Sequence, residues 1–78
     1  MEIAYEAYLK GIGKNVRHFR KRKGLTLEIL ADKAEIDIRQ LGRFERGEGG
    51  FTFFTLYKIA EALEIEPYIF LMQEKGRI

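Results

Sequence analysis

LADKAEIDIRQLGRFERGEG, residues 30–49, is the stretch that decides how this 78-residue chain folds. Leu30, Ala31 and Ala34 recur at the spacing of a helix face turned to a core, and Leu27 extends that face backwards. Thr26 is placed to cap this helix, and Glu28 suits its first turn, where the helix dipole favours an acid. Asp37 reads as the cap of the next helix, from about Ile38 to Arg46. There Leu41 and Phe44 point inward, while Arg39, Gln40 and Arg43 point outward. Gly47, Gly49 and Gly50 then break the chain into a loop. Two short helices so close in sequence must meet at a sharp angle, which is the helix-turn-helix arrangement. The small Ala31 lets the second helix cross closely; Ile36, Leu41 and Phe44 anchor it, and its outward residues are presented as a group.

The flanks extend the same pattern. Upstream, Tyr5, Tyr8, Leu9, Ile12, Val16 and Phe19 fall on one helical stripe. Gly11 and Gly13 weaken it, each by roughly 1 kcal/mol relative to Ala. They mark either a kink or the true start of the core helix. Gly24, after four basic residues, reads as the stop. Downstream, Thr52 caps a fourth helix whose inner stripe is Phe53, Leu56, Ile59, Ala60 and Leu63, with Glu61 and Glu64 facing water. Pro67 suits the first position of a fifth helix with apolar Ile69, Phe70 and Leu71. Residues 74–78 are expected to fray. No run shows sustained period-two alternation, so the expectation is an all-α, five-helix bundle in one domain, residues 1–78, with a core at 12–71 and a helical extension at 1–11.

Composition removes several classes of function. The chain has no cysteine and one histidine, His18, so a thiolate nucleophile, a cysteine metal site and a His-dependent triad are not expected. Glu61, Glu64 and Glu66 read as a solvent face without a concave site, so no enzyme is expected. No cofactor, metal or small-molecule substrate is implied. No run is apolar enough to span a membrane and no signal peptide is visible, which points to the cytoplasm. The formal net charge is only +2, but its layout is uneven. Residues 1–46 carry 11 basic and 7 acidic side chains, and residues 47–78 carry 3 and 5. Lys10 to Lys23 holds seven basic residues and no acid, and Arg39, Arg43 and Arg46 form a second group. Such a one-sided surface attracts polyanions through counterion release; a merely solvated face is the plainer alternative.

The segments IGKNVRHFRKRKGLT (12–26), LADKAEI (30–36), LGRFERGEG (41–49) and FTFFTLYKIAEALEI (51–65) occur in an order and spacing that resemble the phage-repressor (Cro/repressor, or XRE) helix-turn-helix family. The resemblance covers most of the chain and implies a lambda-repressor-like fold whose third helix enters the DNA major groove while the second crosses the backbone. Carried over by position, Ile38, Arg39, Gln40 and Arg43 fall on the base-reading face. Arg can fork onto guanine and Gln onto adenine. The resemblance also places Arg46 and Thr52 near phosphates, and Lys21, Arg22 and Lys23 are further phosphate candidates. It pairs Arg20 with Glu45 of the ERG motif, a structural role that holds helix one to helix three.

Several positions depart from the family pattern. Leu27 stands where a phosphate-binding glutamine is usual, and Glu35 where the turn usually has glycine. Asp37 replaces a Ser/Thr cap, Gly42 stands in place of a small hydroxyl residue, and Glu48 sits in a loop that is often basic. Together these remove one phosphate contact and add repulsion. Phe44, Phe51, Phe53 and Phe54, with the tyrosines, exceed what one short helix face can bury. Phe53, Phe54, Tyr68, Ile69 and Met72 are therefore candidate interface residues. Tyr5, Tyr8 and Leu9 either complete the monomer or pack on a second subunit.

The resulting expectation is a sequence-specific double-stranded DNA-binding transcriptional regulator, a repressor acting as a homodimer on an inverted repeat. The alternative is a same-fold protein-interaction or antitoxin-like module that binds a protein partner and has weak or lost operator binding.

Overall fold

The computed structural model describes residues 5–49 and 52–72. Within them the order is α1 (Tyr5–Arg22), α2 (Leu27–Ala34), α3 (Ile38–Glu45), α4 (Phe53–Leu63) and α5 (Pro67–Phe70), and no strand occurs among the described residues. The sequence-based readings of residues 1–4, Gly50, Phe51 and the fraying at 74–78 lie outside the described residues.

The helix starts are chemical. Thr26 accepts a hydrogen bond from the Ile29 backbone N–H (3.1 Å), Asp37 from that of Arg39 (2.7 Å) and Thr52 from that of Thr55 (3.2 Å). Each satisfies a donor that the first helical turn leaves open. Pro67 opens α5, where its missing N–H costs nothing.

Ile12, Val16, Leu30, Leu41, Phe44, Leu56, Ile59, Leu63 and Phe70 form one buried cluster drawn from all five helices. Phe19 packs edge-on against Phe70, ring centroids 5.6 Å apart. Asn15 is a buried polar residue that apolar periodicity did not single out. Its amide donates to the carbonyls of Phe70 (2.9 Å) and Met72 (2.8 Å), tying the middle of α1 to the end of α5. The Phe70 carbonyl is one of those that the end of a helix leaves open.

The structure corrects four details. The stripe of α1 is buried only from Leu9 onward; Tyr5 and Tyr8 are exposed, because none of the described residues covers the first turns of this helix. Phe53 belongs to the stripe of α4 by spacing but is 62% exposed. Helical side chains lean toward the N-terminus, so one in the first turn overhangs the helix end instead of the core. Leu71 is exposed as well, since α5 stops at Phe70. Neither Gly11 nor Gly13 delays or breaks α1. A Cβ at Gly13 would lie 2.8 Å from the Glu45 carbonyl carbon and closer still to the carbonyl oxygens of Phe44 and Glu45. Gly13 is what lets α1 and the last turn of α3 touch backbone to backbone.

Candidate nucleic-acid interface

The placement of α3 begins with the turn before it. Glu35 ends α2 in the left-handed conformation (φ 58°, ψ 47°), with its N–H directed at the carbonyls of Ala31 and Asp32. The Ile36 N–H bonds the Ala31 carbonyl at 3.0 Å. This is the geometry glycine usually supplies, adopted here by glutamate. Ile36 packs against the core and Asp37 starts α3 at once.

The orientation of α3 follows from its inner face. Leu41, Gly42 and Phe44 are buried, while Ile38, Arg39, Gln40 and Arg43 are exposed. Arg39 and Arg43 are one turn apart, and Gln40 lies three residues before Arg43, so the polar side chains share one face. Arg39 approaches Asp37 loosely, at 3.8 Å, with its side chain 89% exposed, so its guanidinium remains open to a ligand. Leu27 is half-buried against the core and offers no hydrogen bond.

The far end of α3 is fixed to α1. Arg20 donates from Nε and Nη2 to the two oxygens of Glu45 at 2.7 and 3.0 Å, and from Nη1 to the Leu25 carbonyl at 2.9 Å. Both side chains are nearly enclosed, so this pair is structural and does not face a ligand. Gly47 follows with φ +71°, and a Cβ there would stand 2.6 Å from the Lys10 Cα. The backbone at Gly47 therefore rests directly on α1.

The remaining cations have different settings. Lys21, Arg22 and Lys23 are exposed around the end of α1. Arg46 is exposed but engaged: its Nε lies 2.8 Å from Glu48 Oε2 and its Nη2 3.4 Å from Oε1. The hydrogen bond to Glu48 raises the guanidinium's affinity for its proton, and the same bond from Arg46 lowers the pKa of the Glu48 carboxyl. Reading Glu48 as simple repulsion missed this pairing, although the ERGE run places the two only two residues apart. The Thr52 hydroxyl accepts from the Thr55 N–H and lies 3.3 Å from the Thr55 hydroxyl.

The candidate interface residues do not form one uniform patch. Phe53, Phe54, Tyr68 and Met72 are exposed, Ile69 is half-buried, and Lys58 lies over the Phe54 ring at 5.2 Å. Among the described residues, no group of His, Cys, Asp and Glu is arranged to hold a metal, and no helix is long and apolar enough to cross a membrane.

Residues 16–70 match the HTH_3 helix-turn-helix family model. Over 56 residues the chain is 36% identical to an uncharacterized HTH-type transcriptional regulator, y4dJ, of Sinorhizobium fredii; the match spans 72% of this chain and 73% of that protein. The fold resembles the restriction-modification controller protein C.AhdI of Aeromonas hydrophila with a TM-score of 0.79 and 36% identity, covering 82% of this chain and 97% of that one. It also resembles the hypothetical transcription factor NHTF of Neisseria with a TM-score of 0.83 and 28% identity, covering 99% and 90% of the respective chains.

Proposed function

From the premise that this chain belongs to the XRE-type (HTH_3) helix-turn-helix family of DNA-binding transcriptional regulators, and not to an enzyme family, we propose that it is a repressor acting as a homodimer on an inverted repeat in the cytoplasm. The observation that carries this reading is the division of α3. Leu41 and Phe44 are locked in the core while Ile38, Arg39, Gln40 and Arg43 stand together in solvent. In this reading α3 lies in the major groove, with Arg39 and Arg43 forking onto guanines, Gln40 reading adenine and Ile38 touching a thymine methyl. Arg46, Thr52, Lys21, Arg22 and Lys23 hold phosphates, which set register and not sequence.

One recognition helix reads too few bases to be selective, so the working unit is two copies with half-sites about one helical turn apart. The exposed Phe53, Phe54, Tyr68 and Met72, with half-buried Ile69, supply apolar surface for that dimer. The chain acts as one domain with its core in residues 12–71. A second reading, docking of a different protein on the same surface, is favoured by the exposure of both Phe53 and Phe54, beyond what DNA binding requires.

Selection of binding sites from a random duplex pool at near-physiological salt tests the proposal. Recovery of an inverted repeat supports it and its spacing gives the dimer geometry. Recovery of no motif by folded protein overturns it in favour of the protein-docking reading.

A further inference from the structure

The Arg46–Glu48 pair is built into the end of α3 and is not a chance meeting of two flexible side chains. The Glu48 N–H bonds the Arg43 carbonyl at 2.9 Å, and the Gly47 N–H bonds the Phe44 carbonyl at 3.0 Å. Gly47 is itself seated on the backbone of α1 at Lys10. The backbone that carries Glu48 is therefore fixed relative to Arg46. The carboxylate lies along the Nε/Nη2 edge of the guanidinium, at 2.8 and 3.4 Å. Nη1 lies back over Gly42, 3.3 Å from where a Cβ would be. A phosphate and a carboxylate use the same two-pronged fork of an arginine. Here that fork is already filled.

We propose that Glu48 is an internal competitor for the phosphate that Arg46 binds: the protein reaches its full grip on DNA only when Arg46 exchanges a carboxylate for a phosphate. This rests on the reading that the α3 end faces the DNA backbone. The consequence is a lowered, adjustable affinity. Free protein presents a neutral pair at this corner, and non-specific duplex must break it to gain one contact. A duplex that α3 also reads through its bases holds the corner against phosphate long enough for the exchange. Glu48 therefore lowers affinity for any duplex, and it weakens binding through Arg46 and not only through its own charge.

A double-mutant cycle tests this on the whole chain. The probes are a fluorescein-labelled mixed-sequence duplex at low salt and, where selection yields one, the selected repeat. Wild type, Glu48→Gln, Arg46→Ala and the double variant are compared by anisotropy. Both substituted side chains are largely in solvent, and a thermal melt of each variant confirms the fold. Glu48→Gln is expected to tighten binding roughly two- to fivefold, with a salt dependence steeper by about one released counterion. In the Arg46→Ala background that gain should shrink to the part owed to the Glu48 charge alone. An equal gain in both backgrounds overturns the proposal, because Glu48 would then act by its charge alone. No gain, or a loss, in Glu48→Gln also overturns it and makes Glu48 a support for Arg46. If Arg46→Ala binds as well as its parent even in the Glu48→Gln background, the placement of Arg46 on a phosphate is itself wrong. That outcome leaves base reading by α3 to be judged by the selection experiment.

Discussion

Arg20 holds Glu45 through two N–H···O bonds of 2.7 and 3.0 Å across 25 residues of sequence, and its remaining nitrogen, Nη1, donates to the Leu25 carbonyl. One guanidinium thus links α1, the turn into α2 and the last turn of α3, and sets the pitch of the helix that carries Arg39, Gln40 and Arg43. Fork-to-fork geometry in a nearly enclosed site makes this pair stronger than an ordinary surface bridge.

Replacing Glu45 by Ala leaves Arg20 buried without its counter-charge. The expected loss of stability is about 2–4 kcal/mol, read as a fall in melting temperature by circular dichroism. Arg20→Ala should cost a similar amount, and the two losses should be far from additive, because either substitution already removes the shared contact. An unaltered melting temperature in Glu45→Ala would show that the pair does not support the fold.

Gly13→Ala sets helix propensity against packing. Alanine favours a helix by about 1 kcal/mol over glycine. Here, however, its methyl group would overlap the backbone carbonyls of Phe44 and Glu45, which cannot rotate away as a side chain would. Packing decides, and the net expectation is a destabilisation of about 1–3 kcal/mol. Urea titration would show it as a lower midpoint with an unchanged slope. A stabilised variant would mean that α1 and α3 can separate at no cost.

The local features were legible from sequence. Thr26, Asp37 and Thr52 announce helix starts because a cap acts within three residues, and Leu30, Leu41 and Phe44 show their burial by spacing alone. Spacing identifies a face but not whether a neighbour covers it, which is why Tyr5, Tyr8 and Phe53 fall on apolar stripes and are nevertheless exposed, as the alternative reading of each as a contact for a second chain allowed. Asn15 was opaque because its partners lie 55 and 57 residues away. At the site, the outward set on α3 followed from the inward one, and the Arg20–Glu45 pairing came from family resemblance and not from periodicity. The engagement of Arg46 by Glu48 depends on how Gly47 turns, a three-dimensional fact that a charge pattern does not contain.

Glu35 and Glu64 both end helices at positive φ, 58° and 60°, where a side chain with a Cβ is strained. Replacing either by Gly relieves a penalty of about 1 kcal/mol. Some of that gain is returned as added freedom of the unfolded chain. The expected result is a small rise in melting temperature for each, additive in the double variant. Glu35→Gly also removes an acid from the turn between α2 and α3, so its DNA affinity should rise or hold but not fall. A lower melting temperature in both would show that the glutamate side chains contribute contacts outweighing the backbone strain.

Arg43 is the sharpest test of the base-reading face. It lies one turn beyond Arg39, in the last turn of α3 but still on the solvent side, with its carbonyl engaged by Glu48 and its side chain exposed. If it forks onto a guanine, Arg43→Ala should weaken binding to the selected site by about 1–3 kcal/mol and relax preference at one base pair per half-site. A phosphate contact predicts something different: uniform weakening across sequences, a salt slope shallower by about one charge, and no change in preference. Repeating the site selection with Arg43→Ala separates the two, since only base reading alters the recovered motif. The fold should be untouched, because Leu41 and Phe44, not Arg43, hold α3 to the core. An unchanged motif would assign the base to Arg39 or Gln40, whose Ala variants are the next to select with.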